Sequence, residues 1–383
     1  MAEATPTALR VLQVSAFFAA HGGGIEIVAG ALADRLGGPG LHVHWLASGR
    51  PEHAPAQRAG LTAEAVRAWD PLEARIGLPM PLWGPTGLWR LWKAVGAAYL
   101  VHVHDYLYQP TLAALLFAAL RRRPVVITQH VGEIPFRSAR ARALLSLLNR
   151  RLGAPLLARA ARAVFVGAPV KDYFTGLTRF ARTPRLIPNG VDLARFHDRP
   201  REEAGLRSDR VLRLLFVGRF VEKKGVHLLR HCLDLPGCHW TFVGWGPMPP
   251  ADGDSATVRL AGRLPPQEIV GEYQAADLLV LPSVGEGFPL VVQEALACGT
   301  PVLVSRDVAQ AFPARDRRCV FEVDLGGPDP AAALRAALRS LAADPTALRA
   351  AREPARALAQ QWSWERCALA YREVYRQAVS SGA

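Results

Sequence analysis

The sequence predicts an α/β protein made of two doubly wound, parallel-sheet domains. Three observations carry that expectation: short runs of Val, Leu and Ile without polar alternation, longer helical patterns between them, and a second series of the same kind after a turn-rich break. With 383 residues the chain is long enough to give each domain its own core. Half of it is hydrophobic and 21% is charged, which excludes a mainly disordered chain.

In the first series the apolar runs fall at 9–15, 41–47, 100–104, 124–128 and 163–166. The opening run is preceded by Glu3, carries only Arg10 as a charge and leads into a glycine run instead of a small-residue cleavage site. It therefore reads as a buried strand and not as a signal peptide. The longest apolar runs, such as 112–120, stop well short of the ~20 residues that span a bilayer. The expected location is cytoplasmic, with at most peripheral contact at the inner face of the membrane. The break comes at Ile187-Pro188-Asn189-Gly190-Val191-Asp192, followed by a charged stretch, 199–210. The second series is 212–217, 239–243, 257–261, 277–281 and 301–304. Domains are thus expected over 1–190 and 191–361. Ligands of such folds sit at strand carboxyl ends, so a cleft between the domains is where chemistry is sought.

Composition narrows the partners. Net charge is +13, and residues 1–190 hold 22 basic against 10 acidic side chains, so nearly all of the excess lies in the first half. That half is expected to meet an anionic partner. The five cysteines contain no CxxC pair and all lie in the second half, which argues for a reducing compartment and against zinc or disulfide frameworks. Four of the nine tryptophans, Trp69, Trp83, Trp89 and Trp92, fall with four prolines in 69–92; this reads either as core packing or as an interfacial patch.

Two clusters in the second half carry phosphate and sugar chemistry. The run 212–217 ends at Gly218, and Arg219, Lys223 and Lys224 follow before a helix. Cations at a strand's carboxyl end suit a diphosphate. The chain holds 42 Arg but only 4 Lys, and two of the four sit here. The second cluster is Pro282-Ser283-Val284-Gly285-Glu286-Gly287-Phe288-Pro289-Leu290-Val291-Val292-Gln293-Glu294. Pro289 is expected as first residue of a helix that Gly299 closes, with free N–H groups at its start. Glu286 and Glu294 flank that start, and carboxylates are strong acceptors for sugar and ribose hydroxyls.

These motifs, with Pro188-Asn189-Gly190-Val191-Asp192 between them, resemble family 4 of the retaining glycosyltransferases, which have the GT-B fold. Gly22-Gly23-Gly24-Ile25-Glu26 is similar to the family's N-terminal glycine loop, and Trp362-Ser363-Trp364-Glu365 to the start of its last helix, which crosses back to the first domain over about 362–383. The resemblance implies a nucleoside-diphosphate sugar as donor substrate and no cofactor or metal. It implies that Arg219 and Lys224 bind the diphosphate, that Glu294 binds the ribose, and that Glu286 with Gly287, Phe288, Leu290 and Val291 holds the sugar and its phosphate. Gly23, Gly24 and Gly218 are implied at the donor, and Arg263 and Leu264 at the nucleobase. Family members place a histidine at the end of the 124–128 strand, which assigns His130.

Other candidates are weighed against plainer readings. His42/His44 and His102/His104 alternate on one strand face as metal ligands do, but no third ligand stands out. Asp105 lies at a strand end and is a candidate for the acceptor cleft. Asp252-Gly253-Asp254 reads as a hairpin tip. Seven arginines and no acid between 137 and 162, interleaved with Leu and Ala, read as a basic amphipathic helix for an anionic membrane. No nucleic-acid motif accompanies it. The expected acceptor is a lipid-linked glycan or glycolipid. The competing functions are a nucleotide-sugar epimerase or phosphorylase of the same fold, and a non-catalytic sugar-binding protein.

Overall fold

A computed structural model describes residues 8–76, 79–133, 138–198, 211–312 and 315–380. The chain divides into two units, Met1–Asn189 with Trp364–Ala383, and Gly190–Ser363. The charged stretch 199–210 lies outside the described residues, as does Arg137.

In the first unit the strands are β1 (Leu9–Phe17), β2 (Leu41–Ser48), β3 (Leu61–Val66), β4 (Ala68–Trp69), β5 (Leu82–Trp83), β6 (Leu100–His104), β7 (Val125–Gln129), β8 (Arg162–Phe165) and β9 (Arg185–Leu186). Seven of them form one sheet in the order β3-β2-β1-β6-β7-β8-β9, while β4 and β5 pair separately as an antiparallel ribbon. Every neighbouring pair of the large sheet is parallel. Both faces are covered, which is why Val11 to Ala16 are buried without alternation. The polar exceptions are tied in: the Gln13 amide donates to the Ala29 carbonyl at 2.8 Å, although its oxygen has no partner, and Ser15 accepts from the Trp45 indole at 2.9 Å. Helix Trp364–Ser380 belongs to this unit and buries Tyr371 and Tyr375 against β6 and β7 through Thr128 and His102.

The second unit contains β10 (Leu212–Val217), β11 (Cys238–Val243), β12 (Val258–Gly262), β13 (Leu278–Leu281), β14 (Val302–Ser305) and β15 (Val320–Val323), all parallel in the order β12-β11-β10-β13-β14-β15. Strands β3 and β15 were not expected, nor were the two-residue strands β4, β5 and β9. The sequences of β3 and β15, LTAEAV and VFEV, place polar residues inside short edge strands, so they lack the apolar run that marks the others. Two further expectations are corrected. Because β11 and β12 are parallel, Asp252-Gly253-Asp254 cannot cap a hairpin; it lies in the crossover, where Asp254 Oδ1 accepts from the Leu260 N–H at 2.6 Å. The basic helix is also shorter than 137–162. It runs Ala139–Leu148, passes through a π-type turn at Asn149–Gly153, resumes over Ala154–Arg159, and Arg162 already starts β8.

Candidate active site

The order of the second sheet reverses between β10 and β13, and ligands of open α/β sheets bind at carboxyl ends where such a reversal occurs. The loops leaving these two strands are tied together, since the Val284 N–H donates to the Lys223 carbonyl at 3.0 Å. Gly218 ends β10, Arg219 follows it, and a single 3-10 turn, Glu222–Lys224, stops at Gly225 with φ +72°. Pro282 of the other loop occupies the space a β-carbon on Gly225 would need, so only glycine allows both the left-handed turn and the approach.

Lys224 Nζ lies 2.9 Å from Glu286 Oε1, with Lys223 Nζ at 4.0 Å from the same oxygen. Burial alone would push the Glu286 carboxyl up. The two lysines, with a hydrogen bond from Ser283, outweigh that and hold it below its ordinary range, so it stays an anion. The loop carrying Glu286 is fastened from below: Gly285 N–H donates to Asp307 at 2.6 Å, and Ser305 donates to the Ser283 carbonyl at 2.5 Å. Phe288 points away from solvent and packs on Phe312 and Trp362 at ring separations of 4.5 and 5.5 Å. Gly287 and Phe288 therefore present backbone here.

Pro289 is the N-cap (φ −72°, ψ 120°) and not the first helical residue; the helix is Leu290–Ala297. As N-cap, Pro289 accepts from the Val292 N–H at its carbonyl, at 3.2 Å, and proline itself has no N–H to offer. The free donors at this helix start are accordingly those of Leu290 and Val291. One turn further, Glu294 Oε2 accepts from the Tyr273 hydroxyl at 2.7 Å. Burial raises the Glu294 pKa to about 7, against the opposing pull of Tyr273 and Arg195. At the end of β12, Arg263 lies 4.5 Å over the Trp245 ring, with Leu264 next in sequence.

Gly218, Arg219, Lys224, Glu286, Gly287, Phe288, Leu290, Val291 and Glu294 thus gather around one strand reversal, with Arg263 and Leu264 two strands away. Sequence reasoning missed Tyr273, Trp245, Asp307 and the Phe312–Trp362 support. Tyr273, Trp245, Asp307 and Phe312 lie in no motif, and Trp362 was read only as the start of the last helix and not as support for the Glu286 loop.

In the first unit the order reverses between β1 and β6. Gly22 (φ +87°) ends a 3-10 turn after β1, and Gly23 caps helix Gly24–Leu36. Next to this loop a cavity of about 580 Å³ opens at the ends of β1, β2 and β3, lined by Phe17, His21, Arg50, His53, Arg67 and Asp70 among others. His21 stacks on Phe17 at 4.1 Å and bonds Glu73 at 2.8 Å. Asp105 follows β6 in a left-handed conformation (φ +56°), and its carboxylate accepts from the His130 N–H at 2.8 Å. His102, His104 and His130 are buried together. Among the described residues no group of three or more His, Cys, Asp or Glu side chains is placed to hold a metal ion, and no helix is long and apolar enough to cross a membrane.

The family model for Glycosyltransferase Family 4 matches residues 22–195, and that for Glycosyl transferases group 1 matches 212–344. A glycogen synthase of Mycobacterium tuberculosis is 30% identical over 79% of this chain and 73% of its own length. A phosphatidyl-myo-inositol mannosyltransferase of Propionibacterium freudenreichii is 28% identical over 93% and 92%. A D-inositol 3-phosphate glycosyltransferase of Segniliparus rotundus is 32% identical over 52% of this chain; the chain spans about half of that relative, 48% of its length. Among solved structures, sucrose-phosphate synthase from Thermosynechococcus elongatus superposes with a TM-score of 0.75 at 20% identity, covering 97% of this chain and all of that one. Anabaena HepE in complex with UDP-glucose gives a TM-score of 0.72 at 16% identity, covering 97% of this chain and 100% of that one. At such identities these structures show the shared GT-B fold.

Proposed function

The chain belongs to glycosyltransferase family 4, and from that premise we propose that it moves a hexose-type sugar from a nucleoside-diphosphate donor to an acceptor hydroxyl, with retained anomeric configuration and without a metal. The observation that carries this reading is the pairing of Lys224 with Glu286 at the β10/β13 reversal, beside a helix start and above Glu294. That set offers what a nucleotide sugar needs: cations for the diphosphate, a fixed anion for sugar hydroxyls, and a second carboxylate for the ribose. HepE was crystallised with UDP-glucose, which supports a donor of the same class here.

In this mechanism the bond between the anomeric carbon and the donor phosphate oxygen breaks as negative charge collects on the diphosphate. Arg219, Lys224 and the N–H groups of Leu290 and Val291 stabilise that charge. The acceptor oxygen bonds the anomeric carbon from the face the diphosphate leaves, and its proton passes to a phosphate oxygen. By the family resemblance, His130, Gly23 and Gly24 of the first unit are assigned to the donor. Arg263 and Trp245 stack on the base. The acceptor enters the 580 Å³ cavity of the first unit.

We assign a lipid-linked glycan or glycolipid as acceptor, in envelope or exopolysaccharide synthesis. Arg140, Leu144 and Leu147 recur at i, i+4 and i+7 on the exposed side of helix Ala139–Leu148, and both leucines are more than half exposed. A basic face studded with exposed leucine suits an anionic bilayer surface at the inner side of the membrane. The relative named for phosphatidyl-myo-inositol is consistent with such an acceptor.

The test is thermal stabilisation by UDP-, GDP- and ADP-sugars, followed by acceptor-dependent release of nucleoside diphosphate. Stabilisation by one donor class and release only with acceptor are expected. Release of diphosphate without sugar transfer, or an epimerised donor, would refute transfer.

A further inference from the structure

What His130 offers a ligand is decided by the residue behind it. Strands β6 and β7 run parallel with His104 opposite Thr128, so His102, His104, Thr128 and His130 alternate onto one face. Helix Trp364–Ser380 covers that face. The Tyr375 hydroxyl lies 2.7 Å from His102 Nδ1, the Thr128 hydroxyl 2.8 Å from His102 Nε2, and the Tyr371 hydroxyl 3.0 Å from the Thr128 oxygen. All three imidazoles are buried, and burial lowers the pKa of His102 and of His130 to about 3, so the rings are neutral at ordinary pH.

A neutral imidazole has one N–H and one bare nitrogen. His102 has both nitrogens engaged. His104 has only Nδ1 engaged, 3.1 Å from His130 Nε2, while its Nε2 is buried with no partner. One proton in that 3.1 Å contact therefore fixes the tautomer of both rings. If His130 supplied it, His104 would carry its own proton on Nε2, an unpaired N–H in a dry interior. If His104 supplies it, the unpartnered Nε2 is only a bare acceptor, and stranded buried N–H groups are the rarer of the two.

We propose that His104 is a positioning residue that donates Nδ1–H to His130 Nε2 and thereby locks His130 in its Nδ1–H tautomer, a hydrogen-bond donor to a sugar oxygen and not a base. The lock deepens the transfer reading and takes from it only the placement of His130 at the donor sugar. Asp105, which holds the His130 backbone N–H at 2.8 Å, keeps the ring in place while His104 sets its proton.

The test is long-range ¹H–¹⁵N correlation of the histidine side chains in the full chain, for wild type, His104→Phe and His104→Asn. The Asn amide can replace the Nδ1–H donor, whereas Phe cannot. The expected result is an Nδ1–H His130 in wild type and in His104→Asn, and a shift toward Nε2–H in His104→Phe. Turnover of the active donor among UDP-glucose, GDP-mannose and ADP-glucose should fall roughly tenfold in His104→Phe and recover in His104→Asn. An Nε2–H His130 in wild type, or no tautomer change in His104→Phe, overturns the lock; if His104→Phe does not fold, wild type and His104→Asn still decide. If the tautomers behave as expected but His130→Ala leaves turnover intact, the lock stands and the placement of His130 at the sugar fails.

Discussion

Glu294 gives the sharpest quantitative prediction, because its role needs a carboxylate and its surroundings resist one. Burial lifts its pKa from the ordinary 4.5 to about 7, so holding it charged costs about 3 kcal/mol at about 1.4 kcal/mol per pH unit. A ribose diol donates to the anion, and protonation removes an acceptor. If nucleotide binds only the ionised form, apparent affinity should fall about tenfold from its plateau at pH 6 and about a hundredfold at pH 5. Calorimetric titration with the cognate nucleotide across pH 5–9 measures this, and Glu294→Gln should have weaker but flatter binding. The nucleotide's own titration is common to both proteins and cancels in the comparison. Stability should move the opposite way. A raised folded-state pKa means the protonated form stabilises the fold below pH 4.5, and that contribution is lost as pH rises through about 7. Wild type should therefore lose up to about 3 kcal/mol over that window relative to Glu294→Gln in urea unfolding. An identical pH dependence of binding in both proteins would refute the assignment of Glu294 to the ribose.

Three further outcomes follow from the same geometry. Lys224→Ala should lower kcat/KM by about 10²–10³, the range for losing one preorganised donor to a departing anion, and should also raise the Glu286 pKa; near-wild-type turnover would remove Lys224 from the diphosphate. Trp362→Ala takes away the edge-on contact with Phe288 and the contact with Phe312, and should cost about 3 kcal/mol by urea unfolding, with weaker donor binding because the Glu286 loop loses support. The triple change Arg140→Glu, Leu144→Ser, Leu147→Ser should abolish flotation with anionic liposomes at low salt while leaving nucleotide binding within twofold; unchanged flotation would detach the membrane reading from this helix.

Most strands legible in the sequence are interior strands, since burial on both faces enforces an unbroken apolar run. Nine of the ten runs are interior strands of the two sheets or β8 beside the short β9, while the edge strand β12 was readable from Val258, Leu260 and Ala261 despite its exposed Arg259; the edge strands β3, β9 and β15 lack such a run and were missed. The site shows the same division. Residues proposed to touch phosphate or sugar must stand at fixed offsets from a strand end and a helix start, so Lys224, Glu286 and Glu294 form a readable spacing. Residues that hold them arrive from anywhere in the chain: Tyr273 from helix Pro266–Ala275, Asp307 from the segment after β14, Trp362 from just before the last helix. Only folding brings these together, and a single sequence carries no mark of it.

The uneven charge has a matching physical explanation. In the second unit cations are answered locally: Lys224 by Glu286, Arg335 by Asp234, and Arg352 with Arg356 by Asp198. Each pair sits within hydrogen-bond or ion-pair reach, so beyond the ~8 Å screening length at physiological salt the unit projects little field. The pairing also sets a condition on catalysis. On the proposed donor assignment, an incoming diphosphate would compete with Glu286 for Lys224, and the carboxylate so released would become available to the sugar hydroxyls. On that proposal, donor binding and formation of the sugar site would be one event, which would tie the strength of the Lys224–Glu286 contact to the discrimination between a full nucleotide sugar and the bare nucleotide. In the first unit the six arginines of 138–162 have no acid among them in sequence, and the excess charge of that half is what the proposed anionic partner would meet.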